Sequence, residues 1–169
     1  MPIYGVIMRQ GVTVDDLGNN TLITGYGNLN DTIQSCSAVM FFNTATRAAG
    51  LFHYPSGDLN RRRLRTTLSA MMERVQPNEA YIGYGVVGFI ERPGLPADDK
   101  HTQLRTFILG LLPRDGGRLR RFPATSRVAS ISQMGGGAII GSQEPPNITD
   151  LRYHAAANYN FGRIYWANE

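Results

Sequence analysis

The apolar positions of this chain fall into short runs with two different periods. Ile3–Met8 (IYGVIM) is almost continuously apolar and predicts a strand buried on both faces. Gly11–Asn20 is polar, with Asp15-Asp16 and Gly18-Asn19-Asn20 as turn signals, and predicts a loop. Thr21–Tyr26 alternates and predicts a second strand. Ser37–Asn43 (SAVMFFN) and Ala49–Tyr54 (AGLFHY) are rich in β-formers, and the polar segment Thr44–Ala48 between them has the length of a hairpin connection.

A helical period follows. Leu64, Leu68, Met71, Met72 and Val75 form one apolar stripe within a helix expected from about Leu59 to Val75. Ser56 or Asp58 can cap it, and Gln76-Pro77-Asn78 stops it. Glu79–Ile90 predicts a glycine-punctuated strand. Its Gly83, Gly85 and Gly88 have dinucleotide-loop spacing, but they lie inside the strand and not at a strand-to-helix turn, which argues against a nucleotide site. Asp98 or Asp99 opens a second helix with the stripe Leu104, Phe107, Ile108, Leu111 and Leu112, ended by Pro113 and Gly116-Gly117. Arg118–Arg121 reads as a basic loop, Ala129–Ile131 and Ala138–Gly141 as short strands, Thr149–Asn158 as a short helix and Tyr159–Trp166 as a closing strand. This order predicts an α/β fold: a mixed β-sheet or a two-sheet sandwich flanked by helices on its outer faces, in one domain over residues 1–169.

Composition narrows the chemistry. One cysteine excludes an internal disulfide, and His53, His101 and His154 show no zinc-ligand spacing with it, so neither metal nor cofactor is expected. No apolar run reaches the ~18 residues of a membrane span, and MPIYGVIMRQ lacks the basic n-region and apolar core of a Sec-type signal. The expected location is cytoplasmic, or inside a host cell after delivery by a dedicated system. Of the 17 basic residues only Lys100 is lysine. That bias has the ordinary explanation of codon usage; it also fits a toxin or effector that avoids lysine modification. Arg61-Arg62-Arg63 and Arg65 make a solvated helix face or a docking patch for an acidic protein or nucleic acid. No aromatic interleaving supports nucleic acid. A non-enzymatic binding module using Arg61–Arg65 and Arg118–Arg121 is the alternative to an enzyme.

The candidate chemistry lies in residues 32–57. The hairpin places Cys36 at the start of one strand and His53 at the end of its partner, about 5 Å apart if directly opposed. A lone cysteine is most often a small buried hydrophobe. Beside an imidazole that takes its proton, it becomes a thiolate nucleophile.

Ser35-Cys36, then an apolar strand, then Gly50-Leu51-Phe52-His53 resembles the core of the CheD family of receptor glutamine deamidases, which recurs in deamidating toxins of the cytotoxic necrotizing factor type. The resemblance runs from about Gly5 to Ile131. It implies a CheD-like deamidase fold and a cysteine-dependent amidohydrolase that converts glutamine to glutamate on a protein substrate. Cys36 would be the nucleophile and His53 the general base and acid. Backbone N–H groups of Cys36 and the preceding turn would hold the oxyanion. The family has a threonine six residues before the cysteine to orient the histidine; here that position is Asn30, whose carboxamide oxygen could take the role, with Thr32 and Thr24 as rivals. A different cysteine hydrolase, acting as a protease or on small amides, is a further reading of the same pair.

Overall fold

The period-two runs pair into sheets, and the helical stripe packs on one of them. The computed structural model describes residues 3–25, 36–55, 62–84, 100–122, 128–141, 151–153 and 162–167. Among these, the strands are β1 (Ile3–Val6), β2 (Gln10–Val14), β3 (Thr21–Thr24), β4 (Ser37–Phe42), β5 (Ala49–Tyr54), β6 (Glu79–Tyr84), β7 (Arg118–Phe122), β8 (Ala129–Met134), β9 (Gly137–Gly141), β10 (Leu151–Tyr153) and β11 (Arg163–Trp166). The helices are α1 (Arg62–Val75) and α2 (Lys100–Leu111). The strands form a five-stranded sheet, β10-β1-β3-β8-β9, and a six-stranded sheet, β11-β2-β5-β4-β6-β7. Both are mixed: β1 runs parallel to β10 and β3, and β6 parallel to β7, while the other neighbours are antiparallel.

The alternation of side chains along β4 and β5 divides the core in two. Ala38, Met40 and Phe42, with Ala49 and Leu51, meet Leu22, Ala129 and Ile131 of the five-stranded sheet. Val39, Phe41, Phe52 and Tyr54 point the other way, onto Leu64, Leu68 and Met71 of α1 and Leu104 and Ile108 of α2. The six-stranded sheet is therefore the middle layer, buried on both faces, which explains why its central strands read as near-continuous apolar runs. Both helices lie on the same outer face, rather than being shared between the two outer faces.

Close approaches hold β2 and β5 in place. A β-carbon on Gly50 would collide with the Phe41 ring, and one on Gly11 with the thioether of Met71. At the far end of the β4–β5 hairpin, Asn43 Nδ2 donates to the carbonyls of Val75 (3.2 Å) and Gln76 (2.7 Å). These are orphan carbonyls of the end of α1, where Gln76 takes a left-handed φ of 52°. The expected stop at Gln76-Pro77-Asn78 is thus made by a side chain from the hairpin as well.

Several expectations change. Gly11–Val14, expected as part of a loop, belongs to β2 (Gln10–Val14): Gln10 and Thr13 look polar in sequence but are buried inside an interior strand of the six-stranded sheet. Arg118–Arg121, expected as a basic loop, belongs to β7, paired in parallel with β6. Leu151–Tyr153, expected as helix, is β10, laid on the edge of β1. In each case backbone pairing with a distant strand overrides a local polar or helical pattern. Leu111 is exposed (36%), so the buried stripe of α2 is Leu104, Ile108 and Leu112. The expected helix start at Leu59, the Gly85–Ile90 half of the glycine-rich strand and His154 lie outside the described residues. No helix among the described residues is long and apolar enough to cross a membrane.

Candidate active site

His53 is the penultimate residue of β5 and shares a sheet face with Ala49 and Leu51, so its ring enters the layer between the sheets. It is fully buried. A buried imidazole needs hydrogen-bond partners. One comes from the opposite sheet: Thr24 Oγ1, at the end of β3, is 2.6 Å from His53 Nδ1. The same hydroxyl donates to the carbonyl of Val6 at 2.5 Å. A hydroxyl has one hydrogen, and here Val6 takes it. Thr24 Oγ1 therefore accepts from His53, which puts a proton on Nδ1 and, in the neutral ring, the lone pair on Nε2. The backbone is held as well. Arg9, at a left-handed φ of 65° in the β1–β2 turn, donates its N–H to the His53 carbonyl (3.0 Å) and accepts from Ala167 N–H (2.9 Å).

Cys36 immediately precedes β4. The β4–β5 register pairs Ala38 with His53, and Cys36, two residues ahead of Ala38, shares its face. The register thus sets His53 opposite Ala38 and not opposite Cys36, which lies one residue before β4; diagonal positions of an antiparallel ladder have Cα atoms about 7–8 Å apart. Cys36 retains 8% exposure, whereas His53 has none.

Asn30 and Thr32, two of the residues expected to orient the histidine, lie outside the described residues, as does the turn preceding Cys36. Thr24, the third, is described and meets the imidazole. The sequence offered no signal for Gln10, which lies between the expected first strand and the expected loop. The β2–β5 register, which pairs Gly11 with Phe52, brings it next to His53 on the same face. Its Oε1 accepts from Ile7 N–H at 3.2 Å and so braces the turn that carries Arg9.

Two other features lie apart from this site. A cavity of about 400 Å³ opens at the C-terminal ends of α1 and α2, lined by Met72, Gln76, Pro77 and Leu112 among others. It is on the helical side of the six-stranded sheet, at the end of β4 remote from Cys36. The arginines of the alternative reading also separate. Arg62, Arg63 and Arg65 are exposed on α1. Arg118 and Arg120 flank Leu119, which packs into the helical core, so they point to the opposite face of the six-stranded sheet. The described members do not make one basic surface. Among the described residues no three His, Cys, Asp or Glu side chains come together as a metal site.

Neither comparison with known proteins supplies a relative: no family model matches the chain, and no curated protein matches it.

Proposed function

We propose that the protein is a cysteine-dependent amidohydrolase of the CheD-like kind, a protein-glutamine deamidase with Cys36 as nucleophile, His53 as acid and base, and Thr24 as the residue that orients His53. The observation that carries this reading is the chain Val6 carbonyl–Thr24 hydroxyl–His53 Nδ1, because it leaves the lone pair on Nε2. A lone pair there suits a base that must take a proton from a thiol on the same sheet face.

The steps balance without a further reagent. Nε2 takes the thiol proton, and the thiolate attacks the carboxamide carbon of glutamine. The tetrahedral oxyanion collapses to a thioester as the imidazolium gives its proton to departing ammonia. Water then attacks the thioester with His53 again as base, which releases glutamate and restores the thiol. Thr24 Oγ1 accepts the hydrogen bond from Nδ1–H throughout, in both charge states of the ring, so nothing behind the imidazole has to rearrange.

The test is ammonia release on incubation with candidate proteins, with the mass gain of amide-to-acid conversion located at a glutamine by peptide mass spectrometry. Cys36→Ala is expected to abolish both signals with the fold intact. Conversion that survives Cys36→Ala would overturn the assignment.

A further inference from the structure

We propose that β9 is a self-pairing edge, through which two copies of this chain join their five-stranded sheets by antiparallel β9–β9 contact. β9 pairs with β8 on one side, from Met134↔Gly137 to Ser130↔Gly141. Among the described residues no strand pairs with its other side. Gly135 and Gly136, with φ of 60° and 87°, make the two-residue turn of a tight hairpin. In such a hairpin the closing pair exchanges backbone hydrogen bonds, and so does every second pair after it. Gly137, Ile139 and Gly141 therefore bond to β8. Ala138 and Ile140 turn their N–H and C=O groups outward.

The side chains suit the same contact. Ala138 and Ile140 pack inward on the intersheet core, whereas Ile139 is 42% exposed and Met134, beside the turn, 75% exposed. Natural edges are usually guarded by lysine, proline, a bulge or an inward-pointing charge. The strand Gly-Ala-Ile-Ile-Gly has no charged residue or proline, and its ladder to β8 is unbroken by a bulge. β8, Ala-Ser-Ile-Ser-Gln-Met, also lacks charge. In a chain of net charge +4, this neutral hairpin offers a second copy nothing to repel. A two-fold axis at Ile139 sets Ala138 against Ile140 of the second copy and the reverse, which forms four backbone hydrogen bonds. The two Ile139 residues then form a non-hydrogen-bonded pair, with Cα atoms about 4.5 Å apart. Gly137 falls opposite Gly141, and the missing side chains leave room for Met134 to lie across the seam.

A ladder this short buries far less than the ~1,600 Å² of a standard interface, so the dimer should be weak, with a dissociation constant in the range of roughly tens to hundreds of micromolar. Sedimentation velocity from low-micromolar to near-millimolar protein tests it. The wild type should pass from monomer to dimer. Ile139→Lys, which places two ammonium groups face to face, and Ala138→Pro, which removes an outward N–H but no bond to β8, should each weaken association about tenfold or more. Far-UV circular dichroism checks that each variant is folded. Ile139 is exposed, so Ile139→Lys decides the matter even if Ala138→Pro does not fold. A wild type that stays monomeric throughout would overturn the proposal, as would a dimer that Ile139→Lys leaves unchanged.

Discussion

Thr24 and His53 stand on different sheets, and the 2.6 Å contact between Thr24 Oγ1 and His53 Nδ1 ties one sheet to the other at the candidate site. Thr24→Val keeps the shape but removes the acceptor for Nδ1–H and the donor to Val6. Two buried polar groups lose their partner, and the expected cost is about 1–3 kcal/mol, measured as a shift in the denaturant midpoint. Thr24→Ser should recover most of it. If Thr24 orients the base, ammonia release should follow the same order: low in Val and near wild type in Ser. Equal stability of the Val and Ser variants would mean that the hydrogen bond contributes little.

Cys36 and His53 give a second test, independent of any substrate. Iodoacetamide reacts with thiolate, so an imidazole that takes the thiol proton should speed labelling of Cys36 near neutral pH. His53→Ala should slow it several-fold, and Thr24→Val should slow it less. Labelling that proceeds at the same rate in wild type and His53→Ala would show the thiol to be unactivated.

Gly50 and Gly11 both sit beneath another side chain, but the neighbours differ in stiffness. An alanine methyl at Gly50 meets the edge of the Phe41 ring, which is wedged in the core; at Gly11 it meets the flexible end of Met71. Gly50→Ala should destabilise by about 1–3 kcal/mol. Gly11→Ala should cost less, because a thioether end can swing aside. Thermal unfolding of the two variants checks the ranking.

Tyr81 carries a titration that should be visible in the alkaline limb of stability. Burial, and then its hydrogen bond to the Glu79 carboxylate (2.7 Å), push its hydroxyl from 10.0 to about 12. Below pH 10 the phenol is neutral in both folded and unfolded chains, so its contribution is fully present. As pH rises toward 12 the unfolded phenol ionises first, and the contribution is lost. Tyr81→Phe should flatten the stability profile over pH 10–12. Glu79→Gln should lower the phenol's pKa, read by ultraviolet absorbance titration against Tyr81→Phe.

Much of the layer structure was legible in the chain. SAVMFFN and AGLFHY are apolar on both faces because β4 and β5 lie between a second sheet and the helices, and that burial leaves a mark in every residue. The stripe of α1 was equally plain, since a helix with one buried face must repeat at its own period. The strands β2, β7 and β10 were not. Their backbone pairing depends on which distant segment lies alongside, and hydrogen bonds between backbones carry no side-chain signature.

The same division holds at the candidate site. The sequence by itself determined that Ser37–Asn43 and Ala49–Tyr54 would pair as a hairpin, because two apolar runs flank a short polar connection; the register, which sets His53 opposite Ala38, came from the structure. For the residue that orients His53 the sequence put Asn30 first, on the family's spacing, with Thr32 and Thr24 as rivals. Only the tertiary structure decided that the hydroxyl at the end of β3 meets the imidazole at the end of β5. That meeting comes from the face-to-face packing of two sheets, which sums weak apolar contacts across the whole intersheet layer and is written in no local pattern of residues.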